Sequence, residues 1–417
     1  MVKLPTSAAA VLAAAALFGN TVFAHPGEHH DTAKRRRDLR HNEIGIRNAE
    51  MTLAKCKDSA AGQALERRAV MRRAAKAAQL REKRGLEEAR MLAKRDQEAL
   101  DEYLQTCHDR GDSVDWDETT PHSTIFASNA TIGLAPETII GPYWVGGELI
   151  RSDVVEEQGG VPVHLDLQFV DVSTCAPVPN LLVDMWHANA TGVYSGVVAG
   201  AGLDSTFLRG VQISDLEGVA EFSTVFPGHY QGRVNHIHVT SNQGARLLDN
   251  GTYAGGRVNH IGQLYFDQEL INAVEGMAPY SANTMRLTYT REDFLAAQQA
   301  SKDYDPLLDY VMLSEDPADG LLMWATIGVN STADQSRFVS SGAWHYKDGG
   351  VDTSPKWNFT IPPGGFPFPT GGFPTGGFPP GVTPPPGGFP PFPTGPGAPT
   401  TTQQFWSPCM KKKKREV

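Results

Sequence analysis

Alternating apolar and polar positions dominate the middle of the chain. In residues 161–172 (VPVHLDLQFVDV), apolar side chains take every second position from Val163 to Phe169, with polar side chains between them. Because side chains two apart point to the same face of a strand, this pattern predicts a half-buried β-strand. Further short apolar runs also predict strands: LLVDMW, GVAEFSTVF, HIHV, GQLYF, MRLTYT and LLMWATIGV. Turn sequences such as NQG, DNGT and PADG separate such runs, so residues 121–355 are predicted to form a mainly β domain, either a sandwich or a barrel.

The flanking segments have different patterns. Residues 33–110 are rich in Ala, Leu, Glu, Lys and Arg, which favour helices, and Gly85 is the expected interruption. We therefore predict an α-helical region over residues 25–120. After Ile361 the sequence Gly-Gly-Phe-Pro occurs four times, and such a density of Pro and Gly cannot bury a continuous core. Residues 356–417 are predicted to be a disordered tail with a basic C-terminus; a plain spacer is the default role, and association with a cell wall or extracellular polymer is the alternative.

The first 24 residues predict the compartment. Lys3 precedes an apolar run rich in Ala, Val and Leu, and residues 22–24 (VFA) resemble an A-x-A cleavage site. The run contains Gly19 and Asn20, and no later stretch of about 20 apolar residues follows, so a membrane span is not expected. We expect residues 1–24 to be a signal peptide and the protein to be secreted. The mature chain would begin at His25, and its HPGEHH sequence would be either a flexible exposed terminus or a copper-binding one.

Secretion gives the cysteines and several asparagines a second meaning. An oxidising compartment permits disulfides, and the four cysteines allow three pairings: Cys56, Cys107, Cys175 and Cys409. We favour Cys56 with Cys107, since both flank one helical region. Five N-x-S/T sequons would be glycosylation sites in a eukaryotic host: Asn129, Asn189, Asn250, Asn330 and Asn358. The formal net charge of −10 argues against nucleic-acid binding, because a phosphate-binding surface is basic.

Two segments carry candidate chemistry. In GHYQGRVNHIHV (228–239), His236 and His238 share one face if HIHV is a strand, and PGHY forms a turn that could return Tyr230 to that face. The H-x-H pair alone is weak evidence, since two ordinary strand histidines give the same pattern. A second segment, WHANATGVYS (186–195), adds Tyr194 at a strand end. Phenolate is a hard anionic oxygen donor, and together with imidazole it suits trivalent iron better than zinc. A free tyrosine has a pKa of about 10, so it ligates as phenolate only beside a strong Lewis acid.

The order of these motifs resembles the intradiol ring-cleavage dioxygenases, which include the catechol and protocatechuate enzymes, with secreted fungal members the most similar. GPYW at 141–144 and GQLYFD at 262–267 also match, and the resemblance covers residues 125–335. It implies a β-sandwich of mixed sheets and non-haem Fe(III) as cofactor. The residues that correspond to the family's iron ligands are Tyr194, Tyr230, His236 and His238. Tyr230 corresponds to the phenolate that leaves as the diol arrives and acts as a base. Arg233 corresponds to the arginine that favours negative charge on the bound aromatic, and Gln263 to a glutamine that supports the oxygenated intermediate.

The resemblance also implies the reaction. An aromatic diol of catechol or hydroxyquinol type would be cleaved with O₂ between its hydroxyl-bearing carbons, giving a muconate-type diacid. The alternative is a secreted β-sandwich that binds carbohydrate or cell-wall polymer without turnover. Five residues separate Tyr230 from His236, whereas the bacterial enzymes have a longer loop here. A more open cleft is therefore expected, and the particular diol is left unassigned, as is the oligomeric state.

Three further expectations concern the surroundings of this site. Fungal members often carry a cysteine at the position of Ala188, so Cys175 is expected to lack a nearby partner, leaving Cys409 or a free thiol. Residues 204–209 (DSTFLR) are expected to line the cleft, because they lie between the two motif segments. His229 is left out of the ligand set, because a tight turn would point it away from Tyr230.

Overall fold

The structure, a computed structural model, describes Cys56 and residues 59–85, 91–92, 108–109, 138, 140–300, 305–314, 316–346 and 348–354. The predicted signal peptide, the HPGEHH segment, the Gly/Pro-rich tail, Cys107 and Cys409 lie outside these residues. Three α-helices are described: α1 (Ala60–Arg84), α2 (Gln268–Glu275) and α3 (Phe294–Gln299). The described strands are β1 (Met91–Leu92), β2 (His108–Asp109), β3 (Val145–Gly146), β4 (Pro162–Asp171), β5 (Leu182–Trp186), β6 (Arg209–Ile213), β7 (Val219–Val225), β8 (Ile237–Gln243), β9 (Arg246–Leu247), β10 (Tyr253–Ala254), β11 (Arg257–Leu264), β12 (Asp309–Met312), β13 (Leu321–Val329), β14 (Ala343–Tyr346) and β15 (Gly349–Asp352).

Two sheets enclose the main core. The six-stranded sheet has the order β1-β2-β12-β13-β4-β7, and the four-stranded sheet has the order β11-β8-β5-β6. Strand β4 runs parallel to β13 and antiparallel to β7, so the larger sheet is mixed. Apolar side chains from both sheets form one continuous buried cluster, which includes Leu165 and Phe222 of the larger sheet and Met185 and Val239 of the smaller one. The prediction of a mainly β fold with mixed sheets and an N-terminal helix is confirmed.

Most of the predicted strands lie where the apolar runs placed them. β4, β5, β7, β8, β11 and β13 coincide with the runs, but the strand predicted for MRLTYT (285–290) is wrong. There the backbone N–H of Met285 donates to the Asn283 side chain at 3.1 Å, and that of Thr290 donates to the Gln268 side chain at 2.8 Å. One nearby side chain and one from α2 therefore satisfy amides that a strand would have paired with a neighbour.

Helix α1 covers the outer face of the larger sheet. It begins after Ser59, whose side chain accepts a hydrogen bond from the N–H of Gly62, and it ends at Gly85, which has a left-handed φ of 67° as expected for a terminating glycine. Small apolar side chains of α1 pack against the sheet in a separate buried cluster that includes Val70, Ala74 and Trp324. This contact buries the polar face of β4, which the alternating pattern alone had predicted to be exposed. Part of the predicted helical region forms strands instead, because β1 and β2 join the sheet.

The disulfide of the described residues joins Cys56 to Cys175. The favoured pair Cys56–Cys107 and the expectation that Cys175 lacks a nearby partner are therefore both wrong. The two cysteines are 119 residues apart in sequence, so only the packing of the N-terminal segment against the loop after β4 brings them together. No helix in the described part of the chain is long and apolar enough to cross a lipid bilayer.

A buried ion pair connects α1 to β4. Arg72 donates from Nε and Nη2 to the carboxylate of Asp166 at 2.8 and 3.0 Å, and Nε of Arg73 lies 3.6 Å from the same carboxylate. Arg73 is fully buried, and its guanidinium lies 5.4 Å from the centre of the Trp324 ring. Burial lowers the pKa of Arg73, and the charge of Asp166 opposes this shift. The carboxylate therefore compensates a cation that has no access to water.

We expect Asp166→Asn to reduce the free energy of unfolding by about 3 kcal/mol, because it removes the carboxylate whose charge acts most strongly on the buried Arg73. Denaturant unfolding would measure the loss. Glu217→Gln is the matched control, since it breaks the more exposed ion pair between Arg68 and Glu217 (2.7 Å) and should cost less than about 1 kcal/mol. Equal losses in the two variants would contradict the role assigned to burial.

Candidate metal centre

Two histidines at the start of β8 point their Nε2 atoms at one another. His236 and His238 are both buried, and their Nε2 atoms are 3.2 Å apart. The Nδ1 atom of His236 lies 2.6 Å from the carbonyl oxygen of Val234. Because a carbonyl can only accept, Nδ1 carries the hydrogen, and the lone pair of Nε2 faces the centre of the site. The Trp186 ring stacks on His238 with centroids 4.8 Å apart and fixes the plane of that imidazole.

Two turns bring the tyrosines to the same point. After β5, the side chain of Asn189 accepts hydrogen bonds from the N–H groups of Thr191 and Val193, and this turn presents Tyr194. After β7, Tyr230 pairs with Arg233 in an isolated bridge. The hydroxyl oxygens of Tyr194 and Tyr230 lie 3.5 and 3.4 Å from Nε2 of His236. The structure thus brings together the four side chains predicted as ligands.

The spacing of these donor atoms fits one metal ion. Donors held at about 2.1 Å from an ion and separated by 90–120° lie about 3.0–3.6 Å apart, and the three distances here span 3.2–3.5 Å. Within the described residues, no group of three or more His, Cys, Asp and Glu side chains could hold a metal. A metal at this site would therefore depend on the two phenol oxygens, which favour a hard trivalent ion.

The pKa shifts of the two tyrosines also indicate that their phenolate forms depend on a metal ion. Burial raises the pKa of Tyr194, although the positive charge of Arg233 opposes the shift. Burial raises the pKa of Tyr230 as well, and the neighbouring Tyr194 raises it further. Neither phenol would ionise in this environment without a cation, so the phenolate form requires a strong Lewis acid beside the oxygens.

Arg233 lies beside the ligand set and is fully buried. It donates from Nη2 to Oε1 of Gln263 at 2.6 Å and to the Tyr265 hydroxyl at 3.1 Å. Its Nη1 atom lies 3.5 Å from the Tyr230 hydroxyl. Gln263 stands directly opposite His238 in the β8–β11 pairing, so the register of two strands places the glutamine within reach of the arginine.

Asp293 holds Arg233 in place and was not identified from the sequence. One carboxylate oxygen, Oδ1, accepts from the N–H groups of Leu295 and Ala296 and caps α3. The other, Oδ2, accepts from Nε of Arg233 at 2.7 Å and from the N–H of Val234 at 3.0 Å. The charge of Asp293 raises the pKa of Arg233 against the opposing effect of burial. An Asp before FLAAQQ signals a helix N-cap, but no local pattern relates it to an arginine 60 positions earlier.

The other predicted neighbours of the site have separate roles. His229 turns away, as predicted, because its Nδ1 lies 2.8 Å from the carboxylate of Glu275 and its Nε2 lies 3.0 Å from the carbonyl oxygen of Met285. Of residues 204–209, Arg209 reaches the site, and its guanidinium lies 6.0 Å from the centre of the Tyr194 ring. Tyr143, in the GPYW motif, stacks on Tyr194 with centroids 4.5 Å apart. Together with Trp186, these residues form the apolar and cationic wall around the tyrosines.

Comparison with known proteins agrees with these motifs. Residues 140–284 match the model of a family described as Dioxygenase. A catechol 1,2-dioxygenase from Acinetobacter lwoffii is 33% identical over 106 residues, which are 24% of this chain and 33% of that protein. The protocatechuate 3,4-dioxygenase beta chain of Burkholderia cepacia is 39% identical over 100 residues, which are 22% of this chain and 38% of that protein. The matches thus span between a third and two fifths of the length of these curated relatives.

Among solved structures, an intradiol ring-cleavage dioxygenase from Tetranychus urticae is 29% identical, with a TM-score of 0.42, covering 48% of this chain and 97% of that one. The family match includes the segments that carry the tyrosine and histidine motifs. Residues 140–284, about a third of the chain, are thus similar to the intradiol ring-cleavage dioxygenases. Enzymes of this family generally use non-haem Fe(III), which is the hard trivalent ion that the donor set favours.

We expect Asp293→Asn to preserve the cap of α3, because asparagine caps helices as well as aspartate does. It should nevertheless lower the free energy of unfolding by about 3 kcal/mol, since Arg233 loses the charge that compensates its burial. Asp316→Asn is a matched control: Asp316 also caps a helical turn, but it is exposed, and this change should cost no more than about 0.5 kcal/mol. Denaturant unfolding of both variants measures the difference. A small loss for Asp293→Asn would mean that capping, not charge, is the main role of this carboxylate.

Proposed function

We propose that the protein is a non-haem Fe(III) intradiol dioxygenase that cleaves catechol-type or hydroxyquinol-type aromatic diols with O₂ to muconate-type diacids. The observation that carries the proposal is the convergence of two phenol oxygens and two imidazole nitrogens, 3.2–3.5 Å apart along three edges, beside a buried arginine. The curated relatives support the choice of substrate class, since they are named as catechol and protocatechuate dioxygenases. Catechol and protocatechuate are both vicinal aromatic diols.

Tyr194, Tyr230, His236 and His238 would hold the ion. Ferric iron bound there would supply a Lewis acid that lowers the pKa of a diol and draws electron density from its ring. One molecule of diol and one of O₂ give one diacid, so both oxygen atoms enter the product and no other reductant is needed. The chain's own residues must then bind the diol, accept its protons, compensate its charge and keep water out.

Tyr230 is placed to accept a proton released by the diol. Its hydroxyl oxygen lies 3.5 Å from Nη1 of Arg233, so a positive group stands beside the position where proton transfer occurs. Burial raises the pKa of Tyr230, so the protonated phenol would be the favoured form of this side chain when it does not bind a metal. This environment supports the proposed role of Tyr230 as a base.

Arg233 would compensate the negative charge of the bound diol. In a dry site a fixed cation stabilises developing charge more strongly than in water, and it needs no reorganisation if it is already held in place. Asp293 and Gln263 hold the guanidinium through hydrogen bonds of 2.7 and 2.6 Å. These contacts leave Nη1 directed at Tyr230.

We also propose that the protein acts outside the cell. The Cys56–Cys175 disulfide supports this, because such bonds persist in oxidising compartments and are rare in the cytosol. The expected signal peptide in residues 1–24 points the same way. The sequons and an association of the Gly/Pro-rich tail with extracellular polymer remain proposals of the same kind.

Loading the protein with Fe(III) should give a reddish colour from phenolate-to-iron charge transfer. Tyr194→Phe should remove most of this band and weaken iron retention by more than about tenfold, because it deletes a proposed ligand. Tyr280→Phe is the control, since Tyr280 is a fully buried tyrosine whose hydroxyl donates to the carbonyl of Phe226 outside the site. Absorption spectra and iron content measure both effects. A wild-type protein that takes up no iron and stays colourless would exclude the dioxygenase and favour the alternative, a polymer-binding β-sandwich.

The double variant Arg233→Met/Asp293→Asn should retain iron and colour but lose about 100-fold in kcat/KM, because it removes the cation beside the diol. It removes both buried charges together, so no uncompensated charge remains. Arg73→Met/Asp166→Asn, which removes a buried pair at the outer face of the sheet, is the control and should retain kcat/KM. Oxygen uptake with catechol, 4-substituted catechols and hydroxyquinol measures turnover and identifies the preferred diol. Full activity of the first variant would contradict the charge role of Arg233.

A further inference from the structure

A second buried guanidinium lies behind the other tyrosine. Arg209, in β6, is 1% exposed. It donates from Nε and Nη2 to the carbonyl oxygen of Ser195 at 3.0 and 2.6 Å, and from Nε to the Ser195 hydroxyl at 2.9 Å. The Ser195 hydroxyl in turn donates to the carbonyl of Phe207 at 2.6 Å. Ser195, which follows Tyr194 in the chain, is thus held through both its carbonyl oxygen and its hydroxyl group.

Arg209 also lies beside the phenol ring itself. Its guanidinium carbon is 6.0 Å from the centre of the Tyr194 ring, within the range of a cation–π contact. Arg233 by comparison contacts Tyr230, with Nη1 3.5 Å from the hydroxyl. A fully buried guanidinium therefore lies beside each of the two tyrosines, although the charge of Arg233 also acts on Tyr194.

Two carboxyl groups face Arg209 from other elements. Glu148 lies 3.7 Å from Nη1 of Arg209, and Asp184, in β5, accepts from Nε1 of Trp144 at 2.8 Å. Both carboxyl groups are buried, and burial raises the pKa of Glu148 to about 8 and that of Asp184 to about 7 while the charge of Arg209 opposes both shifts. The three groups form a buried acid–base cluster next to the proposed iron ligands, and none of them has a role in the mechanism above.

The strand register connects this cluster to the rest of the site. In the four-stranded sheet, Arg209 stands opposite Trp186, Trp186 opposite His238, and His238 opposite Gln263. Directly opposed residues share a face of the sheet, and the stacking of Trp186 on His238 fills the space between them. A single row across four strands therefore fixes Arg209 relative to a proposed ligand and to the partner of Arg233.

We propose that Arg209 is a positioning residue for Tyr194: its hydrogen bonds fix the Tyr194–Ser195 segment, and its guanidinium places a positive charge 6.0 Å from the centre of the Tyr194 ring. This inference rests on the proposed function, since it assumes that Tyr194 binds iron. Arg209 lies beside the ring of Tyr194, which would stay bound, whereas Arg233 contacts the hydroxyl of Tyr230, which corresponds to the phenolate that leaves. The difference between the two tyrosines, one expected to stay bound and the other to leave, would then originate in their different contacts with the two arginines.

The test is the visible spectrum and iron retention of iron-loaded Arg209 variants. Arg209→Met should move the phenolate-to-iron band to longer wavelength, because the phenolate electrons lose the attraction of the cation. It should also weaken iron retention against a chelator by about tenfold or more, as expected when a group that orients a ligand is lost. Arg209→Lys keeps the charge but not the paired hydrogen bonds, so the band should stay near its wild-type position while retention still falls. Arg73→Met, which removes another fully buried arginine beside an aromatic ring, should change neither property.

Two further comparisons distinguish a failure to fold from a loss of the proposed roles. If Arg209→Met fails to fold, Arg209→Met/Glu148→Gln removes the cation together with the neighbouring carboxyl group at 3.7 Å, and the same band shift and loss of iron are expected. If the Arg209 variants keep the band position and the iron retention of the wild type, the proposed role of Arg209 is wrong, and the dioxygenase proposal stays intact. A wild-type protein without any such band would contradict the dioxygenase proposal itself.

Discussion

Withdrawal of charged side chains from water is the constraint on which the rest of this structure depends. Arg73, Arg209 and Arg233 are all fully buried, and an uncompensated buried charge would cost several kcal/mol. Arg73 and Arg233 therefore lie against carboxylates from another element of the fold, and these pairs join α1 to β4 and the segment before β8 to α3. Arg209 lies beside the carboxyl group of Glu148, in the segment before β4. Because each pair forms only when both elements are in place, helix, sheets and loops are tied to one arrangement.

The same constraint organises the candidate metal centre. The two phenols and two imidazoles converge in a buried site where neither tyrosine would ionise alone, so the site is suited to an ion whose charge is large and whose preferred donors are hard. Orientation is supplied by neutral contacts, namely the carbonyl that binds Nδ1 of His236 and the ring that stacks on His238. Charge is supplied by the two arginines on either side. The low polarity of the buried site strengthens the interactions of these charges. The packing that excludes water also fixes the positions of the donor atoms.

How far sequence reasoning reached can be judged from particular residues. The alternation of residues 163–169 predicted β4, and the H-x-H spacing predicted that His236 and His238 share a face. The strand predicted for MRLTYT was wrong because the side chains of Asn283 and Gln268 bind its amides. The pairing of Cys56 with Cys107 was wrong because it was inferred from one helical segment, whereas the disulfide joins that segment to a loop of the β domain.

The sequence by itself determined the β class of the domain, the N-terminal helix with its end at Gly85, and the set of side chains that converge at the site. These features are local, since they follow from periodicity, turn chemistry and the order of short motifs. The tertiary structure alone decided which charges compensate one another. Asp293 meets Arg233 across 60 positions, Arg73 meets Asp166 from another element, and Cys56 meets Cys175 across 119. Such pairs depend on strand register and on the packing of elements against each other, and a linear pattern records neither.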